Sequence, residues 1–391
     1  MKTKPTLTVG PGGDFEGSTV SALQAGIDYL AAAGGGTLEI LPGDFVFNNA
    51  LKLRSGVSVR GSGPETRFKK NDYLESPLAI DSDWYESSIT LSNPDGFEEG
   101  MGIALFANAP HHNGQSIVKR TLIGRDGSRF LLDQPLGENF WADHEAIAKV
   151  LFPLISGEEI QNVEIENLRI EGNRQNNPNF NGNYGGCIFM QDCQKVIIRG
   201  VETVNYNGDG ISWQICHDVR VEDCLSQGNA DLGFHPGSGS QRPVIRNNRS
   251  IENGIGIFFC WGVKNGIAED NEIVGNRDYG VSIGHRDNRN RVANNRIQDS
   301  GKVGVLFRKE TGGRDPLNNT IEKNVIVDSG EFGVDLHGNP AGTLLSSNDI
   351  LQEKHAGTGV GVRIGEEVTD LHLKDNRISG FETETLDLRS A

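Results

Sequence analysis

Five segments decide how this chain reads: Asn207-Gly-Asp-Gly-Ile-Ser-Trp213, Asp231-Leu-Gly-Phe-His-Pro236, Asn253-Gly-Ile-Gly-Ile-Phe-Phe259, Asp278-Tyr-Gly-Val-Ser-Ile283 and Lys302-Val-Gly-Val-Leu-Phe307. Each carries a Gly followed by a short alternating strand. The opening glycines recur at 186, 210, 233, 256, 280, 304, 333 and 361, with gaps of 24, 23, 23, 24, 24, 29 and 28. The first residue after each is apolar or small (Cys187, Ile211, Phe234, Ile257, Val281, Val305, Val334, Val362), and the third is mostly apolar (Phe189, Trp213, Pro236, Phe259, Ile283, Phe307, Leu336, Ile364). Alternation of this kind belongs to a strand with one buried face. A period near 23 without a helical stretch excludes propeller blades and the helical or leucine-rich solenoids, and fits stacked coils of a parallel β-helix. Asn pairs such as Asn247-Asn248, Asn294-Asn295 and Asn318-Asn319 fall at the corners, where Asn tolerates left-handed backbone and can stack into side-chain ladders.

Upstream, Val20 to Ala33 reads as an amphipathic helix stopped by Gly34-Gly35-Gly36, the natural cap for an exposed first coil. Thr37-Leu-Glu-Ile-Leu-Pro-Gly-Asp-Phe45 and Leu53-Arg-Ser-Gly-Val-Ser-Val-Arg-Gly-Ser-Gly63 read as first coils. The period breaks between about 80 and 155, where Ser88-Ile-Thr-Leu91, Ile117–Ile123 and Arg129-Phe-Leu-Leu132 read as strands of an inserted β subdomain. The expected organisation is therefore all-β: a single-stranded right-handed parallel β-helix with an N-terminal capping helix and a small insertion. Cap and first coils occupy 1–80, the insertion 81–155 and the main coils 156–391.

Composition bounds the function. The 391 residues include 51 Gly but only 14 Pro, and the formal net charge is −16. Such an acidic chain disfavours nucleic-acid binding through a broad basic surface. It holds no apolar run long enough to span a membrane. The start, Met1-Lys2-Thr3-Lys4-Pro5, lacks the apolar stretch of a signal peptide, so the expectation is either a cytoplasmic protein or a secreted or periplasmic one whose leader was removed. Five Cys (187, 193, 216, 224, 260) show no zinc-type spacing and read as small buried thiols.

The order of cap helix, Gly-Gly-Gly-Thr, Leu-Pro-Gly-Asp-Phe, Leu-Arg-Ser-Gly-Val-Ser-Val-Arg-Gly-Ser-Gly and β-helix coils resembles the pectate-lyase-like superfamily, which includes polysaccharide lyases, polygalacturonase-type hydrolases, alginate C5-epimerases and phage tailspikes. The resemblance implies work on carbohydrate. Gly233-Phe234-His235-Pro236-Gly237-Ser238 is similar to the Gly-Phe-Asp-Pro-His-Glu segment of the epimerases, but His235 and Gly237 replace the acid/base pair. Asp209 and Asp231 look similar to the carboxylates of polygalacturonases. There Ile255 replaces an expected His, and no Arg-x-Lys follows.

On the expected outward face, the second position after Gly reads Ile188, Ser212, His235, Phe258, Ser282, Leu306, Asp335, Arg363. The fourth reads Met190, Gln214, Gly237, Cys260, Gly284, Arg308, His337, Gly365. His217, Trp261, Lys264, His285, Arg286, Lys309, Glu310 and Glu366 lie just beyond. Between 285 and 315, eight Lys and Arg stand against four Asp and Glu, which suggests a place for an anionic group such as a uronate carboxylate. Arg289, Arg291 and Arg296, on the opposite strand and turn, read as ordinary surface charge.

β-Elimination on an acidic saccharide is the first expectation. His235, His285 or Lys264 would be the base, Arg286 and Arg308 would neutralise the carboxylate, and Asp335 or His337 would assist the leaving oxygen. Trp261 reads either as a platform for a sugar ring or as core; Lys309 and Arg363 complete the binding wall. A hydrolase would use Asp209 with Asp231, or Glu310 with Asp335. Epimerisation and a non-catalytic glycan-binding β-helix stay open. No metal is demanded by the spacing, and a calcium ion bridging substrate and protein stays compatible with it.

Overall fold

Strand stacking follows the repeat. The computed structural model describes residues 4–109, 111 and 113–389; residues 1–3, which belong to the start discussed above, lie outside it. An eleven-stranded parallel sheet runs the length of the molecule, from Leu51–Lys52 through Ile155–Glu158, Ile188–Gln191, Ile211–Gln214, Leu232–Gly237, Ile255–Phe258, Tyr279–Ile283, Val303–Phe307, Phe332–Leu336 and Val360–Ile364 to Thr383–Asp387. The first two main coils each add one long strand, Gln161–Glu171 and Gln194–Val204, and from Arg220 on each coil adds two short ones that stack in the same way, as Arg220–Glu222 does on Val244–Arg246 and Leu225–Gln227 on Arg249–Ile251. The protein is a right-handed parallel β-helix.

Glycine opens the strand because neighbouring coils touch there. A Cβ on Gly256 would sit 2.5 Å from the carbonyl oxygen of Gly280, and the same clash recurs at Gly280 against Gly304 (2.6 Å). From Gly210 on, the first residue after each glycine is buried, as is the third, and they fill the interior from Ile211 to Ile364. At one corner a left-handed residue (Asn247, Asp270, Asn294, Lys323 or Ser347) precedes a buried Asn. The resulting ladder runs Asn248, Asn271, Asn295, Asn324, Asn348, Asn376; from Asn271 on, each side-chain oxygen accepts from the backbone and side-chain N–H groups of the preceding Asn, and Asn248 accepts from the Cys224 N–H.

The helix spans Val20–Ala32 and buries Val20, Leu23, Ile27 and Leu30 against the first coils. Its Thr19 side chain makes no capping bond, and Gly34 and Gly35 close the C-terminal turn onto Ala31 and Leu30. Between the first two rungs of the long sheet, which pair directly at Leu51 and Ile155, the chain leaves to form a six-stranded antiparallel sheet (Glu75–Pro77, Ser88–Thr90, Gly102–Asn108, Gln115–Asp126, Arg129–Leu132, Ile147–Lys149).

The expected outward column needs one correction. Ile188 pairs with Ile211 and Met190 with Trp213, so both face the interior; Phe189 and Gln191 face outward, in register with Ser212 and Gln214. The strand position equivalent to Gly210 is Cys187, one residue after Gly186, and a one-residue shift exchanges the two faces.

Candidate functional site

From Ser212 onward the outward column stacks as the repeat requires: Ser212 against His235, Phe258 against Ser282, then Leu306, Asp335 and Arg363 in register. The candidate polar residues on this face fall into three clusters.

The first is Asp209 with His235. His235 Nδ1 lies 2.7 Å from Asp209 Oδ2, and the Leu232 N–H donates to the other carboxylate oxygen at 3.1 Å. Both residues are buried, His235 to 3% exposure, beneath a loop that crosses the sheet. The Gly182 carbonyl of that loop accepts from Ser212 Oγ (2.8 Å), and Asn179 donates to Asp231 Oδ2 (2.7 Å). His235 packs edge-on against Phe258, and its buried Nε2 has no hydrogen-bond partner of ordinary geometry; the Cys260 thiol is a neighbour. Burial works against a charged imidazole, but the Asp209 carboxylate and its hydrogen bond prevail and lift the His235 pKa to about 9. At neutral pH this ring is an imidazolium held by Asp209. Burial also raises the Asp231 carboxyl, opposed by the Asn179 bond and reinforced by the charge of Asp209.

The second cluster is open. Trp261, in left-handed backbone (φ 61°) and 64% exposed, lies flat on His285 with ring centroids 4.8 Å apart and 16° between planes. Glu310 grips His285 twice: Oε1 accepts its backbone N–H at 2.9 Å, and Oε2 lies 3.3 Å from Nδ1. Among the described residues nothing bonds His285 Nε2. Arg308 stacks on Phe258 (4.3 Å) and donates to Ser282 Oγ (2.8 Å), the Phe259 carbonyl (2.9 Å) and Asp287 Oδ2 (3.3 Å). Asp287 is a residue that sequence reasoning passed over. It is buried, accepts the N–H groups of Gly262, Val263 and Gly284, and burial outweighs Arg308 and those bonds to raise its pKa to about 6. Strand parity carried no signal for it, since it sits in the turn after the strand.

The third cluster lies further along. Arg363 holds Asp335 with two 2.7 Å bonds, and His337 Nε2 approaches the same carboxylate at 2.9 Å. Asp335 is separated from His235 by four rung steps, roughly 19 Å at the usual strand spacing. No bond joins Asp335 to Glu310 among the described residues.

A family model described as "Periplasmic copper-binding protein (NosD)" matches residues 143–329 and, overlapping, 259–386. The chain belongs to this family. No curated protein matches it. Solved structures similar to the NosD-family chain include endo-xylogalacturonan hydrolase of Aspergillus tubingensis (13% identity, TM-score 0.62, covering 98% of this chain and 95% of that one). Alginate lyase of a Paenibacillus strain is similar at 11% identity (TM-score 0.52, 93% and 99%). The A-module of an Azotobacter vinelandii mannuronan C-5 epimerase is similar at 15% identity (TM-score 0.51, 95% and 95%). At these identities the likeness is one of fold, that of a parallel β-helix.

Copper in proteins is held by converging imidazole, thiolate or thioether groups. Among the described residues no three His, Cys, Asp or Glu side chains converge to hold a metal ion. The basic stretch of the NosD-family chain also looks different in three dimensions. Among the described residues four of its eight cations take carboxylates from other coils: Arg291 binds Glu269 and Glu322, Lys302 binds Asp278, Arg308 binds Asp287 and Lys309 binds Glu367. Of the remaining candidates, Arg286 is exposed in left-handed backbone next to His285, whereas Lys264 sits in the turn paired with Gln241 and Asn288.

Proposed function

We propose that this protein is a carbohydrate-active enzyme that cleaves an acidic poly- or oligosaccharide by β-elimination at the Trp261–His285 cluster. The observation that carries the reading is the exposed indole lying on an imidazole whose Nδ1 side is fixed by Glu310 and whose Nε2 is unbonded. The outer face of Trp261 offers a platform for the C–H face of a sugar ring. A uronate one unit along the same chain, reaching past the indole edge into the plane of the imidazole, presents its C5 proton to His285 Nε2, and the Glu310 carboxylate stabilises the imidazolium formed as the C4–oxygen bond breaks. Arg286, with no partner bonded to its side chain among the described residues, and the remaining N–H groups of Arg308 supply positive charge where the uronate carboxylate gains electron density. His235 serves this reading as a fixed internal cation and not as the base, because Asp209 keeps it protonated. The family description names periplasmic proteins, and no helix among the described residues is long and apolar enough to cross a membrane; we place the activity in the periplasm.

The test is incubation with a panel of uronate polysaccharides, read by absorbance of unsaturated sugar ends and by product mass. New absorbance, with products one water lighter than hydrolysis products, is the expected result. Reducing ends without absorbance would replace elimination with hydrolysis. That second reading has its own support, since burial raises the pKa of the Asp231 carboxyl close to a second carboxyl, Asp209, the two groups a hydrolase needs.

A further inference from the structure

The antiparallel insertion does more than interrupt the coil. Its long strand Gln115–Asp126 stands beside the first three rungs of the eleven-stranded sheet, and between them lies a cleft of about 540 Å³. Four cations line it, Lys52, Arg54, Lys119 and Arg120, against two carboxylates, Asp133 and Glu158, and a third, Asp28, reaches Arg54 from outside the cleft at 3.0 Å, which leaves an excess of one positive charge. In a chain of net charge −16 this is a local reversal of sign.

The cations are fixed by the fold. The register shift at Ile188 turns Phe189 outward, and Lys119 Nζ rests 4.2 Å above that ring while bonding Glu158 at 2.7 Å. Lys52 bonds Asp133 (2.7 Å) and Thr121 Oγ1 (3.1 Å). Arg120 has no carboxylate bonded to it; it is clamped by the carbonyls of Lys119, Pro135 and Leu136. Burial pushes the Lys119 ammonium below its ordinary pKa, Glu158 opposes that, and nearby Lys52 adds to it. Burial lowers Arg120 as well. Positive charge is thus held here at a cost that an incoming anion would relieve. At the mouth stands Tyr184, 38% exposed, on the loop that covers Asp209, and Gln191 and Gln134 add amide donors and acceptors to the walls. An aromatic edge, amides and fixed cations in an open polar cleft suit a ring that carries hydroxyls and one carboxylate. The small excess of positive charge favours a single acidic unit over a polyphosphate.

We propose that this cleft is a second saccharide site, selective for a carboxylate-bearing sugar unit and distinct from the Trp261–His285 cluster. The loop that bonds Ser212 and Gln214 through Gly182 walls one from the other. Four rung steps separate strand Ile188–Gln191 from strand Tyr279–Ile283, roughly 19 Å. The inference rests on the carbohydrate reading above but not on its chemistry.

The experiment is calorimetric titration of the intact chain with digalacturonate, dimannuronate, diguluronate, the neutral disaccharide cellobiose, and acetate. At least one acidic disaccharide should bind at least tenfold more tightly than cellobiose and acetate. Lys119→Gln and Tyr184→Ala should each weaken it tenfold or more, and should do so equally in a Trp261→Ala background, where the Trp261–His285 cluster no longer contributes and the cleft alone binds. Lys52→Gln, a half-exposed position, repeats the test should Lys119→Gln lower the melting temperature. Equal binding of cellobiose, binding of acetate as tight as that of the disaccharide, wild-type affinity in the cleft variants, loss of binding in Trp261→Ala, or no binding by any acidic disaccharide would each overturn the proposal. Absence of turnover with cleft binding intact would count against the elimination reading alone.

Discussion

Trp261 covers one face of His285 and leaves its own other face to solvent, in a backbone conformation that bulky residues avoid. Stability does not explain this residue. An exposed side chain contributes little to folding, and a left-handed φ at a non-glycine costs about 1–2 kcal/mol. Trp261→Gly should therefore keep or raise the melting temperature while lowering turnover on the cognate saccharide about tenfold or more. Thermal melting and initial rates on the same preparation check it. A lower melting temperature with unchanged rate would assign the indole to structure.

The Asp209–His235 pair gives stability a defined pH dependence. The folded-state pKa of His235, about 9, lies above the ordinary imidazole value of 6.5. The folded state therefore binds this proton more tightly, and the contribution is complete below about pH 6.5 and disappears as pH rises through about 9. Its size is about 3 kcal/mol at most. Urea denaturation at pH 6 and pH 9.5 should show the loss in wild type. Asp209→Asn, which leaves a buried cation without its partner, should cost about 3–5 kcal/mol at pH 6 and flatten the dependence. A pH-independent wild-type difference would refute the assignment.

Much of this was legible in the sequence. The glycine spacing and the apolar first and third positions placed the core of the coils from Ile211 to Ile364, and the Asn pairs placed the ladder. The register at Ile188 was not legible, because Gly185-Gly186 offers a plausible opener one residue before the true equivalent, Cys187, and parity turns one residue into the opposite face. The burial of His235 was hidden because the loop over it has no period. The apparent basic patch is half neutralised, because cations such as Arg291 and Lys309 find carboxylates 22 to 58 residues away, a pairing that only coil stacking creates. The cleft depends on how the insertion docks, which no local pattern encodes.

Arg308 illustrates the same point with a consequence for mutagenesis. Sequence reasoning placed it as a substrate clamp, yet its guanidinium ties the strand of Ser282, the Phe259 carbonyl and buried Asp287 together. Arg308→Ala should lose stability by about 3 kcal/mol, because it removes the counter-charge of a buried carboxyl. With Arg308 gone, Asp287 should titrate above its present value of about 6. Denaturant melts and NMR titration of the Asp287 carboxyl test this. Loss of turnover in Arg308→Ala speaks for substrate contact only if Arg308→Lys, which keeps the charge and loses the fork, stays folded and is also slow.

The Asn ladder makes the sharpest stability prediction. Asn295 Nδ2 donates to the Ala268 carbonyl and to Asn324 Oδ1, both at 2.9 Å, while its Oδ1 accepts from the backbone (3.0 Å) and side chain (2.8 Å) of Asn271. Truncation to Ala removes all four bonds inside a buried corner and leaves their partners unsatisfied, each costing about 1–3 kcal/mol before relaxation. Relaxation and entry of a water reduce the total, so Asn295→Ala should lower unfolding stability by about 3 kcal/mol. Asn295→Asp keeps the two acceptor bonds and replaces the donor with a buried charge, so it should be at least as damaging at neutral pH and partly recover under acid, where the carboxyl can donate. Chemical denaturation of both variants at pH 7 and pH 4 measures this. An Ala variant as stable as wild type would show that the ladder decorates the corner without holding it.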